Sequence, residues 1–199
     1  RQRPQPPTAK RSRERGTIGE VERRADGGIA ALRLESGRRI EADLFLDCTG
    51  PSAALLARID ERFEDWSEWL PCDRVAIGEA EGGAPSPCEL VVATESGWRS
   101  EIAIADRTLW LRVSAGGMND EAALPLRPGR RPEPWVQNLL ALGDAAVAVD
   151  PLHATNLALA HGAILRALEL LPGRDCHPLE LREYNRRTEQ ETNRVRDFL

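Results

Sequence analysis

The sequence predicts a mixed fold of the α/β or α+β class, in which short strands are followed by two long helices. Two observations support this prediction. Between residues 16 and 142, apolar or alternating runs are separated by Gly, Pro and Asp, a pattern typical of strands and tight turns. Residues 151–199 instead carry apolar positions at helical spacing, interrupted at Pro172 and restarted at Pro178.

Composition indicates a foldable chain and argues against several function classes. The 199 residues are 41% hydrophobic and 30% charged, enough for a sizeable core. A formal net charge of -5 argues against nucleic acid as a partner. The four cysteines lie at no metal-ligand spacing, so we expect no metal site. Without a long apolar run or a sign of secretion, we expect no membrane partner and a cytoplasmic location.

The first two segments of the chain differ sharply in composition. Residues 1–15 contain many Pro and Arg and almost no apolar side chains, so we predict a disordered arm or linker. Residues 16–60 begin with a predicted hairpin at 29–40. They continue into an apolar strand at 44–46, which we expect to be covered on both faces, and a helix-like stretch at 52–59.

Residues 61–134 are predicted to form an antiparallel sheet with one face packed and the other wet. Its strands are the extended runs 74–77, 89–94, 98–105 and 108–114. Residues 135–199 contain a predicted strand at 135–142 and two helices. Apolar spacing predicts the inner face of the first helix as Leu157, Ala160, Ile164, Leu168 and Leu171. The same spacing predicts the inner face of the second as Leu181, Tyr184, Thr188, Val195 and Phe198.

The strongest chemical pattern lies in residues 139–163, where a buried strand ends in Gly-Asp and a polar turn precedes a helix. Gly143 allows a ligand to approach the backbone closely. Asp144 can accept hydrogen bonds from sugar or ribityl hydroxyls, and Ala145 leaves room for a planar ring. The N–H groups at the start of the helix suit a carbonyl, an organic anion or a halide. The pattern therefore predicts a binding turn for a ring-bearing cofactor.

Several motifs together resemble a known family. They are ADLFLDCTG, FEDWSEWLPCDRVAIG, ESGWRSEIAI, RPGRRPEPWVQNLLALG and DPLHATNLAL, in that order. Their order and spacing resemble the C-terminal portion of the flavin-dependent tryptophan halogenase-like family, within the FAD-dependent monooxygenase superfamily. The resemblance covers the chain from about residue 16 to its end.

The resemblance implies a fold, a cofactor and partners. The fold would be part of an FAD/NAD(P)-binding Rossmann-like domain with an antiparallel substrate-domain sheet and C-terminal helices. Residues 16–60 would be the remnant of the FAD-binding domain, and the strand at 135–142 would make the second FAD contact. The cofactor would be FAD, reduced by a separate flavin reductase, with chloride or bromide as a further ligand. The substrate would be an aromatic or similar small molecule.

The resemblance also assigns candidate site residues. The expected FAD contacts cluster at two strand ends and the turn before the helix: Gly50, Gly143, Asp144, Ala145, Pro151, Thr155 and Asn156. His153 is the candidate catalytic residue because it replaces the acid of the family's PLES-type turn. A histidine can act as acid or base near neutral pH, and a turn residue without a catalytic role is the alternative. Trp98 and Glu101 are the candidate substrate-side residues.

The sequence departs from the family pattern in ways that keep alternatives open. The tryptophan-rich W-x-W-x-I-P strand is here Trp98-Arg99-Ser100-Glu101-Ile102-Ala103, without its second Trp and its Pro. No GxGxxG motif is present, so the FAD pyrophosphate lacks its usual helix N-terminus. We therefore expect an N-terminal segment of the same protein as a missing partner. A hydroxylase or reductase of the same superfamily, and a non-catalytic remnant, are the alternative functions.

Overall fold

The computed structural model describes residues 12–82, 88–116, 122–173 and 177–199. Within these residues the structure has short strands and two α-helices. The strands are β1 (Ile18–Arg23), β2 (Ile29–Leu34), β3 (Arg39–Ile40), β4 (Phe45–Asp47), β5 (Glu64–Asp65), β6 (Arg74–Glu81), β7 (Leu90–Thr94), β8 (Gly97–Ile104), β9 (Arg107–Ser114), β10 (Leu124–Pro125), β11 (Gly129–Arg130), β12 (Trp135–Val136), β13 (Leu139–Ala141) and β14 (Val147–Ala148). The helices are α1 (Thr155–Glu169) and α2 (Pro178–Phe198). The mixed fold class predicted from the sequence is confirmed.

The strands form four sheets. Strands β1, β2 and β3 make an antiparallel sheet in that order, which includes the predicted hairpin. The largest sheet is an antiparallel meander in the order β10-β6-β9-β8-β7. The predicted strands at 74–77, 89–94, 98–105 and 108–114 all fall in this sheet. A short sheet, β14-β11-β5, pairs β11 with β14 on one side and with the much earlier strand β5 on the other.

The fourth sheet contains the parallel pair that positions the candidate site. Strand β13 lies parallel to β4 on one side and antiparallel to β12 on the other. The prediction of one strand over 135–142 is wrong, because Gln137 adopts a left-handed conformation (φ 50) and turns the chain back between β12 and β13. Buried Asn138 then bonds the backbone N–H and C=O of Ile29, which ties this turn to β2.

Two other predictions, both for residues 16–60, are wrong. Residues 52–59 form no α-helix: two 3-10 turns, Gly50–Ser52 and Leu56–Arg58, take their place. The intervening residue, Ala53, is left-handed (φ 43), which interrupts any continuous helix. Strand β4 is covered on one face only, because Phe45 is buried whereas Leu46 is 54% exposed.

Helix α1 packs through a different face from the predicted one. Its buried residues are Leu159, Ala163 and Ala167. The small alanines contribute to a core with Leu140 and Tyr184. The opposite side carries the apolar residues that we call the leucine face: Leu157, Ile164, Leu168 and Leu171, all more than two-fifths exposed. Sequence spacing identified an apolar stripe correctly, but this stripe is not the face that packs.

Helix α2 packs against the rest of the fold through one buried face. Leu181, Tyr184 and Thr188 are buried as predicted, and Val195 packs against the Trp66 cluster. Phe198 was predicted to face inward, and this prediction is wrong. It is the last residue of the helix and is 84% exposed. Buried Arg130 fastens α2 to strand β5 by bonding Glu64 (2.7 and 2.9 Å) and Glu189 (2.8 Å).

Neither described helix combines the length and the hydropathy needed to cross a bilayer. Helix α2 is long enough at 21 residues, but charged side chains cover much of its surface.

Candidate functional site

A cleft opens where the parallel strands β4 and β13 end. Both strands run in the same direction, so the turns that follow them meet at one edge, the usual ligand position in parallel sheets. Helix α1 supplies the other wall, and the cleft has a volume of ≈ 470 Å³. Its lining comes from the two turns and the first half of the helix: Cys48, Gly50, Leu142, Gly143, Asp144, Asn156, Leu157, Ala160 and Ile164. The structure thus brings together four of the predicted cofactor contacts.

The two glycines of the cleft keep its floor free of side chains. Gly50 (φ 72) and Gly143 (φ 60) both have left-handed backbones, which favour glycine over residues with a Cβ. No atom lies within 4 Å of the position where a Cβ would stand at either residue. The glycines therefore serve the backbone conformation and also leave open space for a ligand.

Asp144 and Asn156 give the cleft a polar corner. The Asn156 side chain lies beside the Asp144 carboxyl, so the turn after β13 meets the first turn of α1 at this corner. Burial raises the pKa of the Asp144 carboxyl above its ordinary value, and the neighbouring Asn156 side chain partly opposes this rise. A carboxylate has acceptor sites for several donors, so Asp144 can also accept hydrogen bonds from ligand hydroxyls.

Asp47 fixes the other turn, and the sequence analysis missed this residue. Its carboxylate is fully buried and accepts bonds from the Thr49 N–H (3.1 Å) and hydroxyl (2.6 Å). It also accepts from the N–H groups of Leu55 and Leu56, both at 2.9 Å. These four donors hold the backbone that carries Cys48 and Gly50. An Asp two residues before Thr, at a strand end, was the signal that could have revealed this role.

Cys48 is the only cysteine in the cleft lining that the structure describes. Burial raises the pKa of its thiol, and the neighbouring charge of Asp47 raises it further. The side chain therefore stays a protonated thiol at neutral pH and contributes a neutral surface to the cleft.

The remaining predicted cofactor contacts lie outside the lining. Ala145 is 1% exposed and packs in the core with Phe45 and Leu139. Pro151 precedes the 3-10 turn before α1, and the Thr155 hydroxyl donates to the carbonyl of Leu152 at 2.5 Å. Their contact with a cofactor stays a prediction.

His153 stands exposed on the turn before α1, outside the cleft lining. It and Ala154 are two successive left-handed residues that are not glycine (φ 52 and φ 56). Its catalytic role stays a prediction.

Trp98 and Glu101 are not brought together. Both lie on β8, but side chains alternate along a strand, so residues three apart face opposite sides of the sheet. The Trp98 indole N–H donates to the Asp150 carboxylate at 3.0 and 3.2 Å. Glu101 forms an ion pair with Arg99 at 3.1 Å on the other face. Only Trp98 contacts the segment that leads into the turn before α1.

No group of three or more potential metal ligands occurs among the His, Cys, Asp and Glu residues that the structure describes. The elements that form the site are the turns after β4 and β13, helix α1, and the polar corner of Asp144 and Asn156.

Comparison with known sequences supports one family. The family model for tryptophan halogenase matches residues 10–124 and 105–199. Tryptophan 7-halogenase RebH of Lentzea aerocolonigenes is 26% identical over 92% of this chain and 39% of its own length. Tryptophan 7-halogenase KtzQ of Kutzneria sp. is 30% identical over 87% of this chain and 37% of its length. The chain thus spans about two-fifths of the length of these relatives.

Solved structures agree with the sequence comparison. BrvH, a flavin-dependent halogenase from Brevundimonas sp. BAL3, superposes with a TM-score of 0.86 at 33% identity, covering 92% of this chain and 42% of BrvH. Xcc4156, a flavin-dependent halogenase from Xanthomonas campestris, also superposes with a TM-score of 0.86, at 35% identity over 92% of this chain and 41% of its own. The resemblance inferred from the motifs is confirmed: the chain belongs to the tryptophan halogenase family.

Proposed function

We propose that this chain forms one wall of the flavin site of an FAD-dependent oxidoreductase of the halogenase type, acting on an aromatic or similar small molecule. The cleft at the ends of β4 and β13 is the observation that carries the proposal. Its position, its two bare glycine turns and its polar corner suit a flat, partly polar cofactor.

The cleft residues fit parts of a flavin. Leu142, Leu157 and Ile164 offer apolar surface for a planar ring. Asp144 and Asn156 offer hydrogen-bonding groups for a ribityl chain. Helix α1 begins without a side-chain cap, so N–H groups of its first turn are left for a ring carbonyl, as the resemblance implies for Thr155 and Asn156.

A bound reduced flavin supplies the oxygen-activating chemistry, and the reductant comes from a separate flavin reductase. The chain's own residues orient the ring and exclude water from one of its faces. His153 is the proposed acid or base on the substrate side, since a histidine exchanges protons near neutral pH. Pro151 and Ala145 are proposed to shape the backbone beside the ring.

The leucine face of α1 indicates where a further segment would pack to complete the flavin site. Two residues of this face, Leu157 and Ile164, line the cleft, and Leu168 and Leu171 extend the exposed apolar surface beyond it. Leu46 is exposed on β4. Strand β4 is also the outer strand of its sheet within the described residues. We assign this surface to a nucleotide-binding segment, because the chain contains no GxGxxG turn and matches about two-fifths of its relatives. That segment would supply the contact for the FAD pyrophosphate.

Flavin titration tests the proposal. We expect this chain alone to bind riboflavin and FAD weakly and with similar affinity, because the pyrophosphate finds no partner. Ala160→Leu fills the cleft and should abolish this binding, whereas Ala158→Leu, an exposed position on the same helix outside the lining, should not. Binding that is unaffected by Ala160→Leu would place the flavin elsewhere and contradict the proposal.

Complementation tests the leucine face. The portion of BrvH that this chain does not match is added to the chain, and FAD binding is measured again. We expect binding at least tenfold tighter than by either part alone, lost on Leu168→Glu and retained on Ala158→Glu. A chain that instead dimerises through this face, seen by light scattering and broken by Leu168→Glu, would contradict the assignment.

A hydroxylase is the second candidate, and Ser100 is the observation that favours it. This small, buried residue stands where the family pattern has its second tryptophan. With a flavin reductase, the completed protein should yield halogenated product only with chloride or bromide present. Halide-independent oxygenation supports the hydroxylase instead. If neither the chain nor the completed protein binds flavin, both enzymes are excluded and a non-catalytic remnant is the remaining function.

A further inference from the structure

Asp150 joins three segments that are distant in sequence. Its carboxylate accepts the Trp98 indole N–H from the meander and the Leu152 N–H from the turn before α1 (3.1 Å). The thiol of Cys72, which precedes β6, lies beside this carboxylate. The sequence patterns assign no role to Asp150.

The turn that follows Asp150 contains two residues in a disfavoured backbone conformation. His153 and Ala154 both occupy the left-handed region, which is disfavoured for a residue with a Cβ. Such conformations persist when surrounding contacts fix them. Here the Leu152 N–H is held by Asp150, and the Leu152 carbonyl accepts from Thr155.

We propose that Asp150 is a positioning residue that locks the Trp98 side of the meander to the turn carrying His153. The proposal rests on the proposed function for its role in catalysis. The lock itself is a property of this chain and can be tested without flavin.

The chemistry of the cluster requires a carboxylate at this position. The groups that face Asp150 are all donors: an indole N–H and a backbone N–H bond its carboxylate, and the thiol of Cys72 lies beside it. Burial and the neighbouring negative charge of Asp150 raise the pKa of Cys72 to about 11, so its thiol remains protonated and can donate at neutral pH. An asparagine would direct its own N–H₂ group at one of these donors, because only one of its two terminal atoms accepts.

Nuclear magnetic resonance of the ¹⁵N-labelled chain tests the Trp98 contact. The chain has five tryptophans, and the Trp98 indole signal is identified by its loss in Trp98→Phe. We expect Asp150→Asn to shift this signal upfield and leave the other four in place. Asp26→Asn is the matched control, because Asp26 also bonds the N–H two residues ahead but contacts no tryptophan. An unshifted Trp98 signal in Asp150→Asn overturns the proposal.

Amide hydrogen exchange tests whether the contact locks the turn. Trp98→Phe keeps an aromatic side chain but removes the indole N–H together with the five-membered ring, so we expect the meander to fold as before. We expect the Leu152 and Ala154 amides to exchange roughly tenfold faster in Trp98→Phe and in Asp150→Asn than in the wild type. Loss of one hydrogen bond to a charged group changes an opening equilibrium by about this factor. Unchanged exchange in Trp98→Phe, with the indole contact confirmed, overturns the locking role.

Steady-state kinetics of the completed enzyme test the catalytic consequence. We expect Trp98→Phe and Asp150→Asn to lower kcat about tenfold with little change in KM, while Asp26→Asn matches the wild type. Equal kcat in all variants overturns the positioning role. If the completed wild-type protein binds no flavin, the proposed function fails, and the resonance and exchange measurements still decide the lock.

Discussion

The turns after β4 and β13 lie side by side at the same end of a parallel pair, but they use their aspartates differently. Asp47 is fully buried and accepts four hydrogen bonds from its own turn. Asp144 is half-buried, lies beside the Asn156 side chain and lines the cleft.

The difference shows how one residue type can serve structure or binding at neighbouring strand ends. A buried carboxylate surrounded by backbone donors stabilises the turn, because each donor would otherwise be desolvated without a partner. A partly buried carboxylate at a cleft pays a desolvation cost that a ligand donor can offset. The turn after β4 therefore serves as a scaffold, and the turn after β13 is the proposed binding element.

Removal of the Asp47 carboxylate should have the largest effect on stability. Asp47→Ala leaves four donors without their acceptor, so we expect a loss of about 3 kcal/mol or more in the free energy of unfolding. Urea unfolding measures this loss. The control is Asp65→Ala, which removes the same bonds to a Ser two residues ahead (3.0 and 2.6 Å) at an exposed site. A loss as small as the control's, below about 1 kcal/mol, contradicts the structural role of Asp47.

Replacing either cleft glycine by alanine should lower the free energy of unfolding by less than Asp47→Ala does. The loss should be equal at the two positions. Gly50→Ala and Gly143→Ala each force a Cβ into a left-handed backbone, at a cost of about 1–2 kcal/mol. Neither Cβ meets another atom, so no clash adds to this cost. The unfolding free energies of the two variants are compared with wild type. A much larger loss at one position would show that its turn is packed and not open to a ligand.

Asp144→Asn should have the smallest effect on the free energy of unfolding. It should raise this free energy slightly, whereas the substitutions at Asp47, Gly50 and Gly143 lower it. Because burial raises the Asp144 pKa, its charged form opposes folding, and stability is lost as the pH rises through the raised pKa. The variant should therefore match the wild type below pH 3.8, the ordinary value, and become slightly more stable above the raised pKa. Thermal unfolding across this pH range measures the difference. A variant that is less stable at neutral pH contradicts the assignment of Asp144 to binding.

Sequence patterns predicted the elements whose environment is local. The hairpin of β2 and β3 and the meander strands follow from alternation and turn residues, which depend on near neighbours. The cleft glycines were also identified in advance, Gly143 because a glycine lets a ligand approach the backbone and Gly50 from the family pattern. Their left-handed backbones are seen only in the structure. His153, Trp98 and Glu101 were proposed from the family pattern, and their roles stay predictions.

Failures of prediction occur where distant segments decide the outcome. The stretch at 135–142 looks like one strand, but the side chain of Asn138 bonds Ile29 and the chain turns there. Asp47 and Asp150 received no role because their partners lie up to nine and 52 residues away in the sequence. Periodicity alone carries no information about such contacts.

The sequence by itself determined the class of fold, the family and the two glycine turns, because these depend on local conformation and on the order of motifs. Only the tertiary structure decided which face of α1 is buried, and which aspartate is buried in its own turn while the other lines the cleft. The apolar stripe and the alanine face of α1 both satisfy helical spacing. The choice between them depends on what the rest of the molecule packs against, and here Leu140 and Tyr184 take the alanines.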